Sequence, residues 1–285
     1  MIILKNLTDK YKLINGVEIP CLGFGTWQIA GETAETAVAE AIRAGYVHID
    51  TAAAYENEEF VGAGIKRSGI KRDELFLTTK LWNNVRGYDE TIAACEDSLK
   101  KLGTDYVDLY LIHWPNPLKF RSCWKEKNAE TWRAFEQLYK DGKVRAIGVS
   151  NFCRRHLDAL FETAEIMPSV NQIRLCPGDV DDDTVSYSRS KGILLEAYSP
   201  LGCGKAFDSD AIKEIAAKYG RSVSQICLNW SLRNGFLPLA KSVSPQHIAE
   251  NADIFDFELE TADVIRLNEM EGECGMHSNP DEKPF

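Results

Sequence analysis

Short apolar, β-branched or aromatic runs alternate with helical patterns along this 285-residue chain, and that rhythm restricts the fold more than any other feature. The runs begin near residues 22 (LGFGTW), 46 (YVHIDTA), 75 (LFLTTKL), 107 (VDLYLIHW), 144 (VRAIGVSN), 169 (SVNQI), 192 (GILLEAYSP) and 236 (FLPLAKS). Nearly continuous apolar runs suit strands buried on both faces, as in parallel sheets. Between them, ETAETAVAEAIRAG sets Ala37, Val38, Ala41, Ile42 and Ala44 on one stripe and stops at Gly45, a helix-ending residue. DETIAACEDSLKKLG carries Asp89 and Glu90 in its first turn, lysines in its last, and closes on Gly103, so its charges complement the helix dipole. AETWRAFEQLYKDGK aligns Trp132, Phe135 and Leu138, and AIKEIAAKYG followed by SVSQICLNWSLRNG gives two consecutive helices before the last strand.

Eight such units predict an α/β fold of the (β/α)8 TIM-barrel type, as one domain over residues 1–285, since no Pro/Gly/Ser-rich linker divides the chain. An open doubly wound sheet would normally show G-x-G-x-x-G after its first strand. Here Gly23-Phe24-Gly25 is followed by Thr26-Trp27-Gln28, with no third glycine. Ahead of the barrel, KYKLINGVEIP places Asn15-Gly16 between short alternating stretches, which predicts an N-terminal β-hairpin with a tight turn.

Composition narrows the partners. Lys and Arg number 33 against 43 Asp and Glu, a formal charge of −10. Such a surface repels phosphate backbones and anionic membranes, which argues against nucleic-acid and lipid roles. A site for an anionic ligand has to be a local basic island. Eight cysteines form no C-x-x-C pair and no zinc-type Cys/His spacing, so free thiols, a reducing compartment, cytoplasmic localisation and no metal are expected. The opening MIILK stretch is too briefly apolar for a signal peptide, and no run approaches the roughly 20 apolar residues of a membrane span. A monomer acting on a small molecule is the expectation.

A parallel barrel carries its chemistry at the carboxyl ends of its strands. Read to their ends, the strands deliver Asp50 with Tyr55 five residues on, Lys80, His113, Ser150-Asn151, Asn171-Gln172, Tyr198-Ser199 and Lys241-Ser242. Unpartnered charge at the tip of an apolar strand is costly, and one rim holding all of these reads as a site. An ordinary tyrosine, with a pKa near ~10, is a poor acid at neutral pH. A neighbouring ammonium lowers that value, and a carboxylate keeps the ammonium in place, so Asp50 and Lys80 are expected to tune Tyr55 as acid/base while His113 orients a carbonyl oxygen. This set has no nucleophile and no metal, so the reductant comes from elsewhere. A nicotinamide fits: Ser150, Asn151 and Gln172 suit its carboxamide, Tyr198 its ring, the SPLGCGK loop (199–205) a pyrophosphate, and Lys241 with Ser242 a 2′-phosphate.

These residues resemble the aldo-keto reductase superfamily. The likeness rests on GYVHIDTAAAYENE, TTKLWNN, LGTDYVDLYLIHWP, GKVRAIGVSNF, AYSPLG and AKSVSPQHIAEN, and covers almost the whole chain from GVEIPCLGFGTW onward. It implies a (β/α)8 barrel and NADPH-dependent reduction of aldehydes or ketones to alcohols. Tyr55 falls on the family's proton donor, Asp50 and Lys80 on its tuners, and His113 on its substrate orienter. The implied cofactor contacts are Gly25, Thr26, Ser150, Asn151, Gln172, Tyr198, Ser199, Leu201, Lys241, Ser242, His247, Glu250 and Asn251; Trp27, Trp82 and Trp114 match the walls of the substrate pocket. The chain is most similar to short bacterial-type members that reduce keto-gluconates, glyoxal or methylglyoxal.

Three departures stand out. The usual N-Q-[IV]-E-x-H-P appears as Asn171-Gln172-Ile173-Arg174-Leu175-Cys176-Pro177, which suggests a rebuilt loop. His247 takes the place of the usual arginine in E-R-I-x-E-N, so NADH use is expected beside NADPH, with a preference that depends on pH. Val47 stands where arginine is frequent. Other features read as structural: Trp132 and Trp230 as core, His48 as a strand residue, Asp179 and Asp181 to Asp183 as an exposed helix start, and His156 and His277 as silent. Barrel-edge packing is the alternative for Trp27 and Trp114, surface solvation for Lys241, and an oxidation-sensitive thiol is the minor alternative for Cys203 in the pyrophosphate loop. Met276 and Phe285 are candidates to close the pocket. A cofactor-bound sensor or partner subunit is the second functional class, which the intact tetrad disfavours.

Overall fold

The hairpin is present. In the computed structural model, which describes residues 4–285, β1 (Lys10–Lys12) pairs antiparallel with β2 (Glu18–Pro20). The turn is looser than a two-residue one: Leu13 N–H donates to Val17 O at 2.9 Å, with Ile14, Asn15 and Gly16 between them. Gly16 takes a φ of +86°, the left-handed conformation that ends a three-residue hairpin loop. The expectation about the opening stretch rests partly on Met1 to Ile3, which lie outside the described residues.

Eight strands follow: β3 (Gly23–Gly25), β4 (His48–Asp50), β5 (Phe76–Leu81), β6 (Val107–Ile112), β7 (Val144–Ser150), β8 (Val170–Arg174), β9 (Leu194–Tyr198) and β10 (Leu237–Ala240). They are parallel and close into a barrel, with β10 against β3. β8 runs past the expected end at Gln172 to Arg174.

The helices between them are α1 (Gly31–Arg43), α2 (Glu58–Ser68), α3 (Tyr88–Leu102), α4 (Trp124–Lys140), α5 (Arg154–Phe161), α6 (Asp182–Ser190), α7 (Asp210–Tyr219), α8 (Val223–Arg233), α9 (Pro245–Ala252) and α10 (Thr261–Asn268). Their apolar stripes pack on the outside of the barrel, where Ala37, Val38 and Ala41 of α1 join Trp132, Phe135 and Leu138 of α4 in one core. Trp132 is buried there as expected, and Trp230 is buried in a second cluster with Ile226, Phe236 and Leu267.

Inside, the barrel changes character along its axis. The hairpin residues Tyr11, Leu13 and Ile19 pack with Phe76, Leu109, Leu111, Val170, Leu237 and Leu239, an apolar plug at the amino ends of the strands. Toward the carboxyl ends the buried residues are His48, Asp50, Thr78, Lys80, Gln172 and Glu196. Gly23 makes room for this layer, because a Cβ there would collide with the His48 ring and Leu239.

Candidate active site

Lys80 organises the site. It is fully buried, and its Nζ donates to Asp50 Oδ1 at 2.7 Å, to the Thr51 carbonyl at 2.9 Å and to Tyr55 Oη at 3.3 Å. Asp50 ends β4, and Tyr55 closes a short 3-10 turn (Ala53–Tyr55) just beyond it. Burial works against the Lys80 ammonium, but Asp50 and Tyr55 more than offset it, so its pKa is raised.

Tyr55 departs from the expectation of a lowered pKa. Burial pushes the phenol above its ordinary value, and Lys80 pulls it back only in part. Desolvation penalises a phenolate more than one shared ammonium relieves it. The hydroxyl therefore stays protonated at neutral pH, beside a cation able to receive its charge.

His113 follows β6, with its ring edge-on to Tyr55 (centroids 5.8 Å apart) and to Trp82 (5.1 Å). Burial, then Lys80 and Arg86, hold its pKa well below the usual histidine range, so the ring is neutral. Its Nδ1 has no hydrogen-bond partner among the described residues.

The amide residues gather as expected. Asn151, at a left-handed φ of +63°, donates to Ser150 Oγ at 3.0 Å and to the His113 carbonyl at 2.9 Å, and accepts from Tyr198 Oη at 2.8 Å. Ser150 Oγ donates to the Gln172 carbonyl at 2.8 Å. Gln172 Nε2 donates to Asp50 Oδ2 at 2.9 Å and to Glu196 Oε2 at 2.6 Å. Among the described residues no donor reaches Gln172 Oε1, and Asn151 Oδ1 keeps a spare lone pair. That acceptor pair beside a tyrosine ring fits the NH2 group of a nicotinamide.

The other expected cofactor residues stand on neighbouring strands at the same end. Gly25 pairs with Asp50, and Thr26 donates to the Asp50 carbonyl through both N–H and Oγ1 at 3.0 Å, so the threonine's hydroxyl braces the strand end. Ser199 has a φ of +51° and opens the turn that carries Leu201. Lys241 is exposed just after β10, and Ser242 Oγ accepts the Ser244 N–H at 3.1 Å. On α9, His247 is exposed, Glu250 half-buried and Asn251 buried.

The three tryptophans divide. Trp82 and Trp114 are half-buried and both meet the Phe285 ring, at 5.7 and 5.2 Å between centroids. Trp27 is 48% exposed, and Met276, a candidate pocket closer, is 70% exposed. Phe285 is docked, its carbonyl accepting from Leu118 N–H at 3.1 Å.

Several residues escaped the sequence reading. Arg86 is buried without a carboxylate partner among the described residues; it donates to the carbonyls of Trp82 (3.0 Å), Val85 (2.6 Å) and Trp114 (2.6 Å), tying two walls together. Asn57 pins the segment around Trp27 through the Thr26 and Ile29 carbonyls. Glu196 was one acid in an otherwise apolar run, and that was its only signal.

The expectations for Asp179, His277 and His156 need correction. Asp181 does cap α6, but Asp179 is buried: it pairs with Arg174 and accepts from the His277 backbone (2.9 Å), with His277 Nδ1 at 2.6 Å. Arg174 also donates to the Cys274 carbonyl at 2.7 Å. The departures at Arg174 and Cys176 thus hold the C-terminal segment. His156 is not silent either. Its Nδ1 lies 3.0 Å from Cys153 Sγ and its Nε2 2.9 Å from Asp281 Oδ1, while Asn116 donates to the same Asp281 oxygen at 2.8 Å.

Among the described residues, no group of three or more His, Cys, Asp or Glu side chains is placed to hold a metal ion, and no helix is long and apolar enough to cross a membrane.

The sequence pattern of the aldo/keto reductase family matches residues 21–271. A glyoxal reductase of Bacillus subtilis (strain 168) is 47% identical over 281 residues, covering 98% of this chain and 99% of its own. The crystal structure of an aldo/keto reductase from Brucella melitensis superimposes with a TM-score of 0.87 at 46% identity, over 93% of this chain and 100% of that one. A Bombyx mori aldo-keto reductase in complex with NADP gives 0.85 at 35% identity, over 93% and 94%.

Proposed function

The chain belongs to the aldo/keto reductase family, and from that premise we propose how its residues carry out the nicotinamide-dependent reduction of small aldehydes and ketones to alcohols. The observation that carries the reading is the hydrogen-bonded chain from Asp50 through Lys80 to Tyr55, beside a neutral His113.

Asn151 and Gln172 would hold a nicotinamide through its carboxamide, with Ser150 and Tyr198 beside them, and the chemistry that group would supply is a hydride for the carbonyl carbon. The remaining work belongs to the protein. His113 donates a hydrogen bond to the carbonyl oxygen and orients it, which a neutral imidazole does without adding charge. Tyr55 gives its proton to that oxygen as negative charge grows there. Lys80 stabilises the phenolate left behind, and Asp50 keeps Lys80 in place. Trp27, Trp82 and Trp114 border the substrate, with Phe285 packed across the last two.

Lys241, Ser242 and His247 make NADPH the favoured cofactor, with NADH accepted because histidine lacks the permanent charge of arginine. Gly25, Thr26, Ser199, Leu201, Glu250 and Asn251 complete the nucleotide contacts. A single domain over 1–285, a monomer and a cytoplasmic location complete the proposal; the eight cysteines are free thiols, as a reducing compartment would keep them.

The sensor or partner-subunit reading is not favoured, because the proton-donating chain is whole. Consumption of NADPH with a panel of small carbonyls tests the assignment. Turnover that vanishes in Tyr55→Phe supports it, and turnover indifferent to that change defeats it.

A further inference from the structure

Glu196 is the carboxyl group of the polar layer that takes no part in the Asp50–Lys80–Tyr55 chain. It is fully buried in β9, and the β8–β9 register sets it directly opposite Gln172. Its Oε2 accepts from the same Gln172 nitrogen that donates to Asp50 Oδ2. Its Oε1 has no hydrogen-bond partner among the described residues and faces His48 Nε2 at 3.6 Å.

The groups around it can be named strand by strand. β4 brings His48 and Asp50, β5 brings Thr78 and Lys80, β8 brings Gln172, and β10 places Leu237 opposite by register. Tyr55 stands beyond Lys80. His48 supplies no charge: burial, reinforced by Lys80, holds its pKa down to about 3, and its Nε2 pairs with Thr78 Oγ1 at 3.1 Å. Among the described residues Lys80 is therefore the single cation beside these two carboxyl groups, and it already binds Asp50. In a dry interior the second carboxyl keeps its proton rather than leave the layer with a net negative charge. Burial and Asp50 push Glu196 up to about 8, against the opposing pull of Gln172 and Lys80.

We propose that Glu196 is a positioning residue for this site: as a neutral carboxyl it clamps the Gln172 nitrogen against Asp50, which holds the Asp50–Lys80–Tyr55 chain and the free Gln172 oxygen in register. One NH2 group spanning two carboxyls cannot rotate without losing a buried hydrogen bond. Gln172 Oε1 is thereby kept on the nucleotide side. Charge gives Glu196 a second effect. Once ionised, it raises the Tyr55 pKa further, so the phenol becomes a weaker proton donor and reduction slows. The effect on turnover rests on the reductase reading, whereas the clamp and the proton do not.

Three measurements on the full-length protein test this. Infrared difference spectra of the nucleotide-free protein should show a protonated carboxyl that disappears with a midpoint near pH 8 and is missing in Glu196→Gln. The dissociation constant for NADP+, read by tryptophan fluorescence, should rise about tenfold in Glu196→Ala, and less in Glu196→Gln, which retains an acceptor for Gln172. In the pH profile of kcat, Glu196→Gln should carry its alkaline limb about one unit higher than the parent. If the parent binds nucleotide yet reduces no carbonyl, the reductase reading fails while the first two measurements still judge Glu196. Circular dichroism establishes that the variants are folded. No titrating carboxyl together with unchanged affinity in both variants overturns the proposal, and so does an alkaline limb that Glu196→Gln leaves in place.

Discussion

The ammonium of Lys80 reaches the hydroxyl of Tyr55 across 3.3 Å from a position with no solvent contact. A buried cation persists only with compensation, which Asp50 supplies at 2.7 Å. The pair then acts as a fixed positive field beside a phenol that burial keeps protonated.

Asp179 anchors the C-terminal segment through Arg174 and His277. Asp179→Asn leaves the largely buried guanidinium without its counter-ion, at a cost of roughly 3 kcal/mol. Chemical denaturation should report that loss, and limited proteolysis should cut first among residues 270–285. A variant as stable and as resistant as the parent would remove the latch.

Arg86 ties Trp82 to Trp114 through their carbonyls. Burial holds its pKa down to about 9, so at neutral pH it is still a cation, and it is one of the causes that keep His113 neutral. Arg86→Met should raise KM for carbonyls about tenfold with a smaller effect on kcat. Steady-state kinetics at pH 7 decides, and an unchanged KM would detach this arginine from the pocket.

Acid should unfold the protein through its histidines. Burial depresses His48 to about 3 and His156 to about 4, in the latter case against the pull of Asp281. Unfolded histidine titrates near ~6.5, so below that pH the unfolded chain takes up protons the folded one refuses, and stability falls with pH. His48→Asn removes one such proton and should flatten the dependence of unfolding free energy by about 1.4 kcal/mol per pH unit between pH 4 and 6. An unchanged slope would mean that His48 is charged in the folded protein.

Exposed His247 stands where an arginine would place a permanent, planar charge. His247→Arg should raise affinity for NADPH relative to NADH about tenfold. Equilibrium titrations with both nucleotides check this, and an unchanged ratio would detach position 247 from the 2′-phosphate.

Most of the architecture was legible because periodicity is a local property. All eight barrel strands begin within a few residues of the runs that announce them, and the helix ends at Gly45 and Gly103 follow from side-chain chemistry alone. That Asp50, Lys80 and His113 would share one rim was legible for a different reason, since a polar residue at the end of an apolar strand costs energy unless it is partnered. What stayed hidden depends on distant partners. Asp281 lies 125 residues from His156, and His277 lies 98 from Asp179, so no window along the chain contains either pair. Glu196 was hidden too, because its meaning comes from Gln172 on the next strand. The direction of the Tyr55 shift was misjudged because a sequence names the neighbouring charge but not the depth of burial.

The central claim is that Tyr55 delivers the proton. Tyr55→Phe removes one oxygen and leaves the pocket intact, so single-turnover reduction of a small aldehyde by NADPH tests it most directly. A loss of 10²-fold or more in the chemical step is predicted, with NADPH affinity within about twofold of the parent. Reduction at the parental rate by the phenylalanine variant would contradict the assignment outright.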